Sequence, residues 1–373
     1  MSDDRIKPVI MPKWGLSMKE GKLAGWLVQA GTKLKAGDEI MEIETDKIAN
    51  VVQATEDGTV RRLVGEKDAV YPVKALLAVV ADDTVSDADI DAYVAGYVAP
   101  AAAAGDDDEG ASAYGYVDVP AGRIRYAKRG DGADTVIFIH GFGGDADNWL
   151  FNIDAPATAA TVYAIDLPGH GSSVKANPDP TLHGFAKTIV AFMDALKIES
   201  AHLVGHSLGG AIAMRLAIDA PGRVKSLTLI GSAGLGSEIN GEYLSGFVSA
   251  ASRRDLKPVV EHLFANQELV SRQLIDNLLR AKRIDGVEAG LTALSATVFP
   301  GGRQGSVLAG EIAKAGKPIL VVWGRDDKII PSGHAAVLGK AARVEVIDGA
   351  GHMVQMEAAG KVNEMILAHI ARV

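Results

Sequence analysis

The stretch His202-Leu203-Val204-Gly205-His206-Ser207-Leu208-Gly209 runs directly into Gly210-Ala211-Ile212-Ala213-Met214-Arg215-Leu216. A short apolar run of strand length is followed by a serine between glycines, then by an apolar run of helical length. A strand that turns at once into a helix around G-x-S-x-G lifts its serine out of the sheet. The serine is left at a helix N-terminus, where the backbone dipole favours a developing negative charge. The glycines suit a sharp turn that neighbouring backbone passes closely. A glycine-rich strand–helix turn can be plain architecture, but here the strand and the helix that give the motif chemical meaning are both present.

Outward from this point, apolar runs at 136–139, 162–165, 227–230, 319–322 and 344–347 alternate with segments of helical period. That alternation predicts a largely parallel, doubly wound α/β sheet over 114–373. Helix-like segments at 256–264 and 273–284 interrupt it, so residues from about 234 to 303 are expected to form a cap over the strand ends. After the 319–322 strand comes Trp323-Gly324-Arg325-Asp326-Asp327-Lys328-Ile329-Ile330-Pro331, and after 344–347 comes Asp348-Gly349-Ala350-Gly351-His352. Sites in open α/β sheets gather at the carboxyl ends of strands. His352 is therefore the candidate base for Ser207, oriented by one of the adjacent aspartates Asp326 and Asp327.

The N-terminal part reads differently. Short alternating runs punctuated by glycine fill residues 6–80, which predicts a small all-β domain over 1–81 with two similar halves, a flattened barrel. Ile40-Met41-Glu42-Ile43 leads into Glu44-Thr45-Asp46-Lys47, placing Lys47 at a hairpin tip. Between the domains, Ser86-Asp87-Ala88-Asp89 looks like a helix N-cap, with a short helix to about Val94. Ala99 to Gly110 is alanine, proline and like charge. Residues 82–113 are accordingly read as an acidic Ala/Asp-rich mobile linker.

Composition bounds the rest. At 373 residues two domains are expected, and 48% hydrophobic residues with 42 glycines fit globular α/β material. A formal charge of −9 argues against nucleic-acid binding and against a polybasic membrane anchor. The absence of cysteine excludes a disulfide framework, thiolate metal sites and a cysteine nucleophile, and fits a reducing compartment. No apolar leader opens the chain and no apolar run approaches ~18 residues, so neither a signal peptide nor a membrane span is expected, and the reading is cytoplasmic. No His/Asp/Glu grouping has metal-ligand spacing, so no metal is expected. His140 and His206 are read as packing or hydrogen-bonding residues. His183, His262, His334 and His369 are read as surface or cap residues.

Several of these motifs resemble known families. Residues 114–373 resemble the α/β-hydrolases. The resemblance implies Asp327 as the acid, because Gly324, Asp327 and Pro331 match the family's G-x-x-D-x-x-x-P pattern. His140-Gly141-Phe142-Gly143-Gly144 is similar to the family's oxyanion loop, which implies the backbone N–H groups of Phe142 and Leu208 as oxyanion donors. Asp166-Leu167-Pro168-Gly169-His170-Gly171 is a further family hallmark, read as structural. Met11-Pro12-Lys13-Trp14-Gly15-Leu16-Ser17-Met18 and Asp46-Lys47 resemble lipoyl domains, which implies lipoate on Lys47. Biotin carriers flank their lysine with methionines, whereas Asp46 and Ile48 stand here.

End to end the chain resembles the acetyltransferase component of bacterial acetoin dehydrogenase complexes. That resemblance implies transfer of an acetyl group from the arm on Lys47 to coenzyme A. It also implies a thiamine-diphosphate acetoin-cleaving component and dihydrolipoamide dehydrogenase as partners, and a homo-oligomer within the complex. Alternatives are a lipoylated serine hydrolase or a non-catalytic carrier on a hydrolase-fold scaffold. The chain lacks the His-x-x-x-Asp-Gly motif of the usual 2-oxo acid acyltransferases and an evident subunit-binding domain. Arg253, Arg254 and Lys257 in the cap are candidates for coenzyme A phosphates.

Overall fold

The computed structural model describes residues 5–14, 18–45, 49–99 and 114–373. The chain divides into two compact units, Met1–Ser112 and Ala113–Val373.

The first unit is built from strands β1 (Ile6–Ile10), β2 (Glu20–Trp26), β3 (Lys33–Leu34), β4 (Glu39–Glu44), β5 (Ala49–Gln53), β6 (Gly58–Leu63), β7 (Val70–Pro72) and β8 (Leu76–Ala81). They form two four-stranded sheets, β1-β8-β6-β3 and β5-β4-β2-β7. Each strand of one sheet has its counterpart four strands away along the chain in the other, which is the two-halved flattened barrel that the sequence suggests. Leu23, Met41, Ile43, Val60, Leu77 and Met11 are buried together between the sheets. The ladder of β4 and β5 ends at Glu44 opposite Ala49, so residues 45–48 connect the two strands. Asp46, Lys47 and Ile48 lie outside the described residues.

Helix α1 (Asp87–Gly96) begins where Ser86 Oγ accepts the N–H of Asp89 at 3.2 Å. It runs one or two residues past its expected end and belongs to the first unit. Ile90 is buried with Ile6, Leu76, Val79 and Val85, and Arg61 and Arg62 pair with Asp87 and Asp91. The segment read as linker from 82 is therefore ordered through this helix, because one apolar side chain per turn suffices to seat a short acidic helix on a sheet. The rest of that linker, 100–113, lies outside the described residues.

The second unit contains β9 (Tyr114–Val119), β10 (Gly122–Arg129), β11 (Asp134–Ile139), β12 (Ala160–Ile165), β13 (Ala201–His206), β14 (Val224–Ile230), β15 (Ile319–Gly324) and β16 (Arg343–Ile347). Its principal helices are α2 (Leu182–Ala195), α3 (Leu208–Asp219), α4 (Gly241–Ser249), α5 (Arg253–Glu261), α6 (Arg272–Lys282), α7 (Val287–Val298) and α8 (Ala359–Ile370). One sheet takes the order β16-β15-β14-β13-β11-β12-β10-β9. The six strands from β11 to β16 pair in parallel, as the apolar runs of the central strands predict for strands covered on both faces, while the edge strand β16 carries Arg343 and Glu345 and is less buried. The antiparallel hairpin of β9 and β10 extends this sheet and was not separately expected. Its sequence signal is the alternation of Tyr114–Val119 before a glycine turn. β11 is flanked by β12 and β13, so the strand order reverses there and opens a crevice at the carboxyl ends of β11 and β13. Helices α4 to α7 fill the insertion between β14 and β15. Among the described residues no helix is long and apolar enough to cross a membrane.

Candidate active site

Ser207 sits between β13 and α3 with φ 52° and ψ −117°. For a residue other than glycine that backbone is strained, and it persists because surrounding bonds hold it. The Ser207 N–H donates to the Ile230 carbonyl at 2.9 Å, and its own carbonyl accepts the N–H groups of Gly210 and Ala233 at 3.0 Å each. A Cβ on Gly205 would run into the backbone of Gly209, and one on Gly209 into the carbonyls of Ile139 and His140. The elbow can therefore lie against the end of β11 only with glycine at both positions. Leu208 is the first residue of α3, so its N–H has no acceptor within the helix.

Asp327 follows β15 and is locked in place from two sides. Its Oδ1 accepts the N–H groups of Ile329 and Ile330 at 2.8 and 2.9 Å, and its Oδ2 lies 2.8 Å from His352 Nδ1. Both side chains are buried. Asp326 is exposed, and no bond joins it to His352 among the described residues. With Nδ1–H donated to Asp327, the imidazole keeps its other nitrogen as a proton acceptor.

His352 lies over the end of β14. A Cβ on Gly231 would stand 3.3 Å from His352 Nδ1, and Gly231 directly follows Ile230, to which Ser207 is bonded. His206 Nε2–H donates to the His352 carbonyl at 3.0 Å, and burial holds the His206 imidazole neutral, with a pKa well below the usual histidine range. Ser207 and His352 are thus neighbours at one end of the sheet. No hydrogen bond joins Ser207 Oγ to His352 in this structure. Such contacts tighten when substrate closes the site.

The loop after β11 passes directly over the elbow, since a Cβ on Gly141 would lie 3.0 Å from Ser207 Cβ. The N–H of Phe142 donates to no described residue. His140 anchors the loop from below. Its Nε2 accepts the Leu167 N–H at 3.0 Å and its Nδ1–H donates to the Gly141 carbonyl at 2.8 Å. Burial lowers the pKa of His140 to about 4, so this neutral tautomer persists at pH 7. Asp166 completes the anchor. Fully buried, it accepts two bonds from the Arg125 guanidinium, at 2.6 and 3.2 Å, and the N–H groups of Ala146 and Ser172 at 2.8 and 2.6 Å. The Asp-Leu-Pro-Gly-His-Gly stretch is therefore the brace of the loop after β11. Asp166→Ala removes the carboxylate that bonds the largely buried Arg125 twice, with Asp145 and Asp147 left to act on its charge, and is expected to lower unfolding stability by about 3 kcal/mol. Chemical denaturation would measure it, and a loss under 1 kcal/mol would refute the brace.

The cap meets this loop through aromatic rings. Phe142 lies edge-on to Phe247 of α4 at 6.1 Å and to Phe299 after α7 at 6.3 Å. Lys282, nearly buried on α6, donates to the carbonyls of Phe247, Val248 and Ala250 at the carboxyl end of α4, where a cation suits the helix dipole. Neither Phe247, Phe299 nor Lys282 was singled out from sequence, because nothing local marks which cap residues face the loop. Of the basic cap residues, Arg253 is paired with Asp276 and Lys257 with Glu261, so their charges are largely met within the cap. His183 and His262 are exposed, as expected. His334 and His369 are not: both are buried, His334 against Trp323 with its Nε2 2.8 Å from Glu238. Both belong to segments that cover strand ends, where an imidazole spans apolar and polar surroundings.

For the first unit, the register of β4 and β5 leaves a four-residue connection holding one lysine amine, Lys47, which fits a group attached through an amide.

Comparison with known proteins agrees with this layout. A biotin/lipoyl family model, described as biotin-requiring enzyme, matches residues 7–80, and one described as alpha/beta hydrolase fold matches residues 134–359. A dihydrolipoyllysine-residue acetyltransferase component of an acetoin cleaving system from Cupriavidus necator is 54% identical over 98% of this chain and 97% of its own length. A protein of the same description from Pseudomonas putida is 45% identical over 99% of both. Among solved structures, a meta-cleavage product hydrolase from Pseudomonas fluorescens superposes with a TM-score of 0.64 at 25% identity, covering 69% of this chain and 97% of that one. The chain belongs to the family of dihydrolipoyllysine-residue acetyltransferase components of acetoin-cleaving systems, in which a biotin/lipoyl-type domain is joined to an α/β-hydrolase fold.

Proposed function

We propose that this chain moves an acetyl group from an arm on its own Lys47 to coenzyme A, by way of Ser207. The observation that carries the reading is the buried Asp327–His352 pair beside a strained, glycine-flanked serine, on a chain that also bears a lipoyl-type unit. The biotin/lipoyl domain and the acetyltransferase family imply covalently bound lipoate. When attached, the lipoyl group supplies a thiol that carries the acyl group on a long reach.

His352 takes the Ser207 Oγ proton as the serine attacks the carbonyl of a thioester donor, and Asp327 holds the resulting imidazolium. The N–H groups of Phe142 and Leu208 receive the oxyanion, each contributing on the order of 3 kcal/mol. Collapse breaks the C–S bond, and His352 returns the proton to the departing thiol, leaving acetyl-Ser207. The second half repeats the sequence with the coenzyme A thiol. His352 removes its proton, the thiol attacks the acyl-serine, and Oγ leaves and is reprotonated. Buried Phe142, Phe247 and Phe299 limit the access of water, which favours transfer over hydrolysis.

The relatives' description as a component of an acetoin cleaving system places them in a multienzyme system. We extend to this chain a thiamine-diphosphate component that cleaves acetoin and loads the arm, and dihydrolipoamide dehydrogenase, which reoxidises it.

The direct test supplies S-acetyl-dihydrolipoamide to the full chain with and without coenzyme A and follows acetyl-CoA and acetate. Acetyl-CoA is expected as the main product. Acetate formed at the same rate regardless of coenzyme A would make the chain a lipoyl-tethered hydrolase.

A further inference from the structure

Glu357 has no task in the scheme above, yet its carboxylate accepts three backbone N–H groups close to His352. Its Oε2 accepts the N–H of Gly351, the residue before His352, at 2.6 Å. Its Oε1 accepts the N–H groups of Ala265 and Asn266, between α5 and α6 of the cap, at 2.8 and 3.1 Å. The residue after His352 crosses the same seam, with the Met353 N–H donated to the Leu263 carbonyl at 3.0 Å. The two backbones touch, since a Cβ on Gly351 would stand 2.7 Å from the Ala265 nitrogen and 2.9 Å from the Phe264 carbonyl carbon. His352 is thus bracketed on both sides by bonds to residues 263–266 of the cap.

A partly desolvated carboxylate is costly unless donors meet it, and charge-assisted bonds to backbone N–H groups are among the strong ones. Burial holds the Glu357 carboxyl above its usual range, with Asp326 adding repulsion, while the three N–H donors pull it down. The carboxylate has one oxygen for each side of the seam, which is the arrangement of a clamp.

We propose that Glu357 is a positioning residue for acyl transfer, clamping the His352 loop to the cap so that the imidazole is held at Ser207 while the cap is seated. The inference deepens the reading of His352 as the base and rests on it. It follows that the alignment of the base depends on cap contacts some distance from the reacting atoms.

The test compares Glu357→Ala, Glu357→Gln and His352→Ala in the full chain. Turnover of S-acetyl-dihydrolipoamide with coenzyme A, KM for the donor, and the rate of Ser207 phosphonylation by a fluorophosphonate are measured, with the unfolding midpoint as a check on the fold. Glu357→Ala is expected to lower both kcat and the phosphonylation rate by about 10- to 100-fold, as a base displaced by about 1 Å would, with KM within about twofold. Glu357→Gln keeps one acceptor oxygen, so it can hold one side of the seam and is expected to lose less. A folded Glu357→Ala, or Glu357→Gln if alanine prevents folding, with wild-type kcat and labelling beside an inactive His352→Ala would overturn the proposal. So would a fall in the unfolding midpoint with both rates unchanged. Turnover retained by His352→Ala would instead overturn the reading of His352 itself, and the clamp would fall with it.

Discussion

Ser207→Ala is expected to lower kcat for acetyl transfer from S-acetyl-dihydrolipoamide to coenzyme A on the order of 10⁶-fold, the size seen when an acyl-transfer nucleophile acting with its base is removed. The reason lies in how completely the fold commits this residue. Its backbone is held at positive φ by its N–H donated to Ile230 and by the N–H groups of Gly210 and Ala233 donated to its carbonyl, and two glycines are required beside it for the elbow to reach β11. Strain of this kind costs about 1–3 kcal/mol and is retained where the orientation of a side chain matters. Alanine keeps the backbone problem and removes the oxygen. The fold should survive the change, since Oγ makes no hydrogen bond on which the elbow depends. A burst of dihydrolipoamide thiol released without coenzyme A, detected by rapid quench in the wild type and absent in the variant, would locate the loss in the acylation step. Full turnover by Ser207→Ala would show direct transfer between thiols, with the site supplying proximity and the oxyanion donors.

Lys47→Arg is expected to abolish acetoin-dependent acetyl-CoA formation in the reconstituted complex while leaving transfer from soluble S-acetyl-dihydrolipoamide within about twofold, because Lys47 belongs to a different compact unit from Ser207 and His352 and the soluble donor does not need the arm. Arginine keeps the charge of the connection between β4 and β5 but offers no amine for amide formation. The ladder to Glu44 and Ala49 and the buried Met41 and Ile43 hold the hairpin independently of that side chain. The contrast between the two assays makes the experiment informative. Loss of both activities would indicate that the lysine supports the fold or the transfer site. Retention of both would place the arm on another lysine. Intact-mass measurement of each protein gives the state of attachment directly.

Much of the architecture is written locally. The central parallel strands are largely buried, so they appear as mostly apolar runs, with the edge strand β16 more exposed, and the first unit appears as short alternating runs because its strands cover one core between two sheets. Ser207 is legible because the elbow needs glycine on both sides and a strand and helix hard against it. The strands on either side of Lys47 are legible because β4 and β5 intersperse apolar and polar residues up to Glu44 and from Ala49. The hairpin of β9 and β10 was less legible, since an edge ribbon with half-buried faces carries a weaker pattern than a central strand.

Other assignments depend on where chain segments meet. Asp326 and Asp327 are chemically identical neighbours, and the choice between them is a matter of direction. The turn after β15 exposes one carboxylate and buries the other against His352, with Ile329 and Ile330 as its donors. The helix at 87–96 has an acidic, linker-like composition, yet Ile90 seats it on the first unit. His334 and His369 look like surface residues until the segments covering the strand ends close over them. Glu357 is one glutamate among many, set apart only by three N–H groups, one from nearby Gly351 and two from the distant Ala265 and Asn266, that converge on it. By itself the sequence determined the periodic elements, the strand–serine–helix elbow and the paired strands on either side of residues 45–48, because those constraints act within a few residues. The tertiary structure decided which aspartate meets His352, what braces the loop after β11 and how the cap meets the loop that carries His352. Those depend on hydrogen bonds and burial between segments up to about a hundred residues apart, and no local pattern encodes them.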